Sequence, residues 1–267
     1  FACVGEKESQ RIFGLWNAVQ TAGLLVAGMS ASLFLSEHYR RGALWTVLSY
    51  SAAALLTLLL TDPEEDGEKP AATAPRPGMG GLLRRSLSMT PFLAGSALLA
   101  ETAQFITVFL SQLLYQRAGL PVRAFGWLSM LATLCALAGA RSHRLTRRLG
   151  RRRGGALLFL CAGAACLTAL CPAPLPAVAG VLGLRAAAAL FSPLALSLQN
   201  AAAEPGARAA QLSCNAMVMD LVSLVLNPAF GRMADAGCGQ ALLLGAIACG
   251  GGLLLFLAGS KPAASPA

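Results

Sequence analysis

Long apolar segments alternate with short polar ones along most of the chain. Two apolar segments, 13–35 and 42–61, precede an acidic stretch. Six more follow it, at 90–114, 122–140, 154–171, 175–199, 211–232 and 239–259. A helix needs about 20 apolar residues to cross the hydrocarbon core of a bilayer. The pattern therefore predicts an all-α, polytopic membrane protein with eight transmembrane helices.

The stretch after the second apolar segment has a different composition. Five acidic residues fall between Asp62 and Glu68, and proline, alanine and glycine follow without bulky apolar side chains to bury. Such a composition is typical of a flexible linker. The predicted organisation is two helices in 1–61, a linker in 62–89 and a six-helix bundle in 90–267.

Composition excludes several classes of function. Hydrophobic residues make up 56% of the chain and charged residues 12%, whereas a soluble domain has about 25% charged residues. The net charge of +9 comes from arginines between apolar spans, so we expect no nucleic acid partner. The eight cysteines form no CxxC pair and only two histidines exist, so we expect no metal site and no cofactor. No cluster of His, Asp and Ser suggests an enzyme.

The basic run from Arg141 to Arg153 determines the predicted orientation. Its seven arginines resist translocation, which places this connection in the cytoplasm. Counting spans outward puts the N-terminus, the linker, the 200–210 loop and the C-terminus on the same side. Fifteen of the twenty-one lysines and arginines then lie inside, in agreement with the positive-inside rule.

Three predicted spans carry an ionisable residue near their middle, namely Glu101, Arg185 and Asp220. Placing an ionised side chain at the centre of a membrane helix costs roughly 2.5 to 3.5 kcal/mol on the scale from insertion experiments. Each of these residues is therefore expected to have a specific role. Their matching depths predict a shared central cavity for substrate or proton coupling. Helical spacing places Gln104 near Glu101 and Asn227 near Asp220, and Asn215 is included as a further cavity residue. The predicted cavity residues are therefore Glu101, Gln104, Arg185, Asn215, Asp220 and Asn227.

The ionisable residues have alternative roles. Glu101 is the predicted proton-coupling or cation-recognising carboxylate, because intramembrane carboxylates often relay protons. Arg185 is either an anion-binding group or a charge partner that neutralises Glu101 or Asp220. The amides also suit purely structural hydrogen bonds between helices. Segment 154–171 holds no charged or amide side chain and 239–259 holds only Gln240 at its start, so both are expected to face lipid.

Three stretches resemble a known family. The turn GARSHRLTRRLGRRR (139–153) and the segment RAAQLSCNAMVMDLVSLVLNPAFGRMADAG (208–237) resemble the C-terminal half of a major facilitator superfamily transporter. The stretch EKESQRIFGLWNAVQTAGLLVAG (6–28) is similar to the start of that family's fifth helix. The resemblance implies that the chain supplies helices five to twelve, with 1–61 as the last two helices of the N-terminal bundle. Lacking helices one to four, the chain alone is expected not to transport.

The resemblance also implies roles for individual residues. The family's seventh, tenth and eleventh helices border the substrate cavity, and here they carry Glu101, Arg185 and Asp220. The cytoplasmic loop motif corresponds to Gly139, Arg147, Arg148, Gly150, Arg151 and Arg152. His143 stands where an aspartate is typical, which weakens the gating role of this motif.

The closest resemblance is to bacterial drug-efflux-like members. It implies a multi-pass protein of the bacterial plasma membrane that moves a small solute by alternating access, with protons as coupling ion and lipid as surroundings. The fifth helix has Gly23 and Gly28 without the Gly-Pro step of the antiporters, so antiport is only loosely implied. The alternative is a truncated or non-transporting membrane protein.

Overall fold

The computed structural model describes residues 11–13, 15–16, 18–23, 26, 39–58, 78–121, 123–203 and 207–259, and these residues are mostly helical. The described residues between 11 and 26 are helical. The helices that follow are α1 (Tyr39–Leu58), α2 (Met79–Ser88), α3 (Thr90–Gln104), α4 (Ser111–Arg117), α5 (Arg123–Ala136), α6 (Ser142–Leu149), α7 (Arg151–Ala169), α8 (Pro174–Ala202), α9 (Arg208–Ala236) and α10 (Cys238–Gly259). A π-helical turn, Phe105–Leu110, joins α3 to α4, and a 3-10 turn, Leu137–Arg141, joins α5 to α6.

The helices confirm an all-α, multi-pass membrane protein. Within the described residues, five helical segments are long and apolar enough to cross a membrane: Thr90–Arg117, Ala124–Leu149, Pro174–Ala202, Arg208–Ala236 and Cys238–Gly259. Helix α7 coincides with the predicted segment 154–171 but begins three residues earlier, because Arg151, Arg152 and Arg153 form its first turn. The helix Leu44–Leu58 is apolar but shorter. Most of the predicted first span lies outside the described residues.

The core lies among α3, α7, α8 and α10. Helix α10 packs between α3 and α7, and α7 packs along α8. Glycines allow the closest of these approaches. A Cβ atom added to Gly95 would lie 2.7 Å from the carbonyl oxygen of Gly252, and one added to Gly180 would lie 2.6 Å from that of Ala165. Four phenylalanines fill the centre of this bundle, Phe92, Phe159, Phe191 and Phe256, with centroid separations of 5.0 to 6.0 Å.

Each of the two segments expected to face lipid has one exposed side and one buried side. In α7, Leu157, Leu160 and Leu167 are exposed, but Phe159 and Cys166 belong to the core. In α10, Leu243, Ile247 and Leu254 are exposed while Leu242 and Phe256 are fully buried. An apolar helix without polar residues can serve equally as core or as lipid-facing surface, because both environments are nonpolar.

Two stretches expected to be irregular are helical. Residues 79–88, at the end of the predicted linker, form α2, whose Leu82 and Ser86 are buried against α9 while Arg84 and Arg85 are exposed. Within the basic run, Ser142–Leu149 forms α6 and Gly150 ends it with a positive φ of 79°. Arginine and leucine are good helix formers, and glycine adopts that φ most easily.

Candidate functional site

A polar cavity of about 370 Å³ lies beside the middle of α8. Helices α3 and α8 form most of its wall, and α5, α9 and the N-terminal helical residues add single side chains. Its polar lining residues are Thr21, Ser96, Gln104, Arg185, Ser192 and Gln199. The volume is within the range of roughly 300 to 1,000 Å³ of small-molecule sites.

Helix α8 supplies the longest polar row of this cavity. Arg185, Ser192 and Gln199 follow one another at intervals of seven residues, which nearly complete two helical turns and keep the three on one face. Pro193 lies inside the helix and cannot donate a backbone hydrogen bond to the carbonyl of Ala189. Ala189 also lines the cavity. The cavity wall therefore includes a point where one backbone hydrogen bond of the helix is missing.

Helix α3 supplies the facing wall. Ser96, Ala100 and Gln104 line the cavity at intervals of four residues. The hydroxyl of Ser96 donates to the carbonyl of Phe92 at 2.8 Å within its own helix, whereas the Gln104 side chain is exposed. Immediately after Gln104 the chain widens into the π-helical turn Phe105–Leu110. Such turns are frequent at functional sites because they change the direction of the side chains that follow.

Glu101 and Asn227 form a second polar feature, where α3 faces α9. The Nδ2 atom of Asn227 donates to Oε2 of Glu101 at 3.0 Å. Neither residue lines the polar cavity. Pro228 follows Asn227 within α9, and one turn along each helix Phe105 stacks on Phe230 with centroids 4.8 Å apart. The carboxylate is thus held at the contact of two membrane-spanning helices.

A third polar feature is a buried hydrogen-bond network that joins α2, α8 and α9. The Nε2 atom of Gln211 lies 2.7 Å from Ser86 Oγ, 3.2 Å from Asn215 Oδ1 and 3.2 Å from the carbonyl of Leu82. Ser86 donates to Asn215 Oδ1 at 2.8 Å, and Asn215 donates to Gln199 Oε1 at 3.3 Å. Gln199 also lines the polar cavity, so the network reaches the cavity at one end.

The structure divides the six predicted cavity residues into separate places. Gln104 and Arg185 line the polar cavity, Glu101 and Asn227 bond to each other, and Asn215 belongs to the buried network. Asp220 is exposed and lies outside the cavity lining. The sequence predicted one shared cavity because these residues lie at similar depths in the membrane. In the structure they have different neighbours, because the rotation of each helix about its axis decides which way its side chains point.

Sequence reasoning missed Ser96, Ser192 and Gln199 as cavity residues. The interval of seven from Arg185 through Ser192 to Gln199 was visible in the sequence and would have identified two of them. Ser86 and Gln211, which bond to Asn215, were also missed. Ser86 lay in the predicted linker, where no helix was expected.

Hydrogen bonds connect the basic turn to helices α8 and α10. Ser142 Oγ donates to the carbonyl of Leu190 in α8 at 2.5 Å. Arg152 Nη2 donates to the carbonyl of Leu257 in α10 at 3.3 Å. Gly139 is buried in the 3-10 turn that precedes α6. The turn is therefore fixed to α8 between the cavity residues Arg185 and Ser192.

The remaining motif arginines line two surface grooves. Arg147 and Arg151 face a groove of about 1140 Å³ together with Arg11, Leu15 and Ala18 of the N-terminal helical residues. Arg148 lines a neighbouring groove beside Leu145 and Leu190. Arg147 and Arg151 thus border a groove that the N-terminal helical residues also line.

Comparison with known proteins identifies the family. A sequence model described as Major Facilitator Superfamily matches residues 2–225, most of the chain. No curated protein and no solved structure matches. Members of this superfamily are transporters. With its apolar helices and its polar cavity, the chain belongs to the major facilitator superfamily.

Proposed function

We propose that the protein is a secondary active transporter that moves a small solute by alternating access, with the solute bound in the polar cavity between α3 and α8. The observation that carries this proposal is the arrangement of Ser96, Gln104, Arg185, Ser192 and Gln199 around one cavity of about 370 Å³. A few polar groups in an otherwise apolar wall are typical of small-molecule sites.

Irregular helices around the cavity support movement as part of this function. Pro193 removes one backbone hydrogen bond from α8, Pro228 removes one from α9, and the π-helical turn Phe105–Leu110 follows α3. The hydrogen bond from Ser142 to Leu190 ties the basic turn to the cavity helix α8. A tilt of α8 would therefore move the basic turn and the cavity wall together, which is what alternating access of two bundles requires.

Glu101 is our candidate for the proton-coupling residue. Its carboxylate accepts a hydrogen bond from Asn227 across the contact of α3 and α9. Protonation of Glu101 would weaken or rearrange its hydrogen bond with Asn227. Because this bond joins two spanning helices, α3 and α9 would then shift relative to each other. We propose proton-coupled efflux across a bacterial plasma membrane, with the basic turn and both ends of the chain in the cytoplasm.

The test is flux through proteoliposomes that contain the protein expressed from its complete gene. Radiolabelled small metabolites and lipophilic cations are offered with and without a pH gradient. Ser192→Trp is designed to fill the cavity and should abolish flux. Leu254→Trp places the same side chain on the exposed face of α10 and should preserve it.

The two variants separate the possible results. Equal flux in Ser192→Trp and the wild type would overturn the cavity as the transport route. If the wild type moves none of the compounds under any gradient, the non-transporting alternative replaces the proposal.

A further inference from the structure

We infer that the transported solute is a small organic anion whose charged group binds the guanidinium of Arg185. This inference rests on the proposed function and specifies the class of its substrate. The charge of the cavity is its first support. Among the described residues that line it, Arg185 is the one charged side chain, and the other polar groups are hydroxyls and amides.

The second support is the absence of a carboxylate beside this arginine within the described part of the chain. Glu101 is bonded to Asn227 between α3 and α9, away from the cavity lining. Asp220 is exposed, although its neighbour Met219 lines the cavity. The charge-pair alternative for Arg185 therefore finds no partner among these residues. A positive charge at membrane depth without a counter-charge favours an anionic ligand.

The lining also suits an organic frame attached to the anionic group. Leu99, Phe191, Leu196 and several alanines line the same cavity, and they can contact the apolar part of a ligand. A guanidinium presents two parallel N–H groups that match the two oxygens of a carboxylate or a phosphate. Gln104 and Ser192 add neutral hydrogen-bonding groups nearby. A lipophilic cation would be repelled by the positive charge of Arg185, so its binding in this cavity is disfavoured.

The test measures binding apart from transport. The purified complete protein is titrated with matched compounds that carry a carboxylate, a phosphate monoester, a primary amide or an amine on the same alkyl and aryl frames. The anions should bind more tightly than the amide and the amine of the same frame. Arg185→Gln should weaken anion binding by at least about 30-fold, the usual effect of removing one partner of a desolvated charge pair, and should leave the amide unchanged.

Two further variants keep the result interpretable. Arg185→Lys retains the positive charge but lacks the two parallel N–H groups of the guanidinium, so it should bind the anions with intermediate affinity. It replaces Arg185→Gln if the glutamine variant does not fold. Arg232→Gln removes an exposed arginine of α9 and should change nothing. Thermal unfolding of each variant without ligand checks that the fold is intact.

Binding and flux together distinguish failure of this inference from failure of the proposed function. Tighter binding of the amines or amides, absence of anion binding, or anion affinity unchanged in Arg185→Gln would overturn the anionic class. Flux of a cation or neutral compound would then still support the transporter. Arg185-dependent anion binding without any flux would support the anion site and overturn the transport function.

Discussion

Asn227 Nδ2 donates a hydrogen bond of 3.0 Å to Glu101 Oε2, and this bond joins two membrane-spanning helices across 126 residues of sequence. Without Asn227, the carboxylate would have one hydrogen-bond donor fewer at the contact of α3 and α9. Protonation of Glu101 would change this bond, which is the basis of the coupling role proposed for this residue.

We expect Glu101→Gln to abolish the response of flux to a pH gradient, because the amide of glutamine does not bind and release a proton near neutral pH. Exchange of solute across the membrane without a gradient should continue, since the cavity residues are unchanged. The measurement is solute flux in proteoliposomes with and without an imposed pH gradient. Asp235→Asn, which changes an exposed carboxylate of α9, serves as the control. A gradient response that survives in Glu101→Gln would remove the coupling role from this residue.

We expect Gln211→Leu to destabilise the protein by about 1 to 3 kcal/mol, because polar groups of Ser86 and Asn215 lose a buried partner. Thermal unfolding in detergent measures the change. Gln240→Leu removes an exposed glutamine at the start of α10 and should stay within about 0.5 kcal/mol of the wild type. Equal stability of the two variants would show that the network contributes little to the anchoring of α2.

The two glycines of α8 that face Ala165 should respond differently to alanine. In Gly180→Ala the new Cβ would lie 2.6 Å from the Ala165 carbonyl oxygen, so we expect a loss of about 1 to 3 kcal/mol. In Gly183→Ala the new Cβ would lie 3.5 Å from the Ala165 Cβ, an ordinary contact. That variant should be neutral or gain up to about 1 kcal/mol from helix propensity. The order of the two melting temperatures tests the close packing of α7 and α8.

The orientation can be tested with single cysteines in a cysteine-free background. Arg148→Cys in the basic turn and Gln116→Cys near the end of α4 replace exposed residues on opposite predicted sides. A membrane-impermeant thiol reagent should label position 116 in intact cells and position 148 only in inside-out vesicles. The reverse pattern would contradict the orientation derived from the arginines.

Much of the fold could be predicted from local sequence. The six apolar segments after residue 89 agree with observed helices within a few residues at most of their ends, because hydropathy along one segment decides whether it suits a bilayer. Helix α2 was missed because glycine precedes it and only Leu82 and Ser86 of its surface are buried. These two residues pack against α9, which is more than 100 residues away in the sequence.

The candidate site was predictable only in part. Arg185 and Gln104 were found because polar residues at membrane depth are rare. Glu101 and Asp220 were assigned to the same cavity on depth alone, yet they face different surroundings. A rotation of a helix by one residue, about 100°, is enough to move a side chain from the cavity to a neighbouring helix.

The sequence by itself determined the class of the protein: its long apolar helices and the set of polar residues available at membrane depth. These properties follow from the free-energy cost of placing polar groups in lipid, and that cost depends only on the residues of each segment. Only the tertiary structure decided which polar residues meet. Asn227 reaches Glu101, Gln211 reaches Ser86, and Arg185 remains in a cavity, because the packing of glycines and phenylalanines fixes how each helix is rotated.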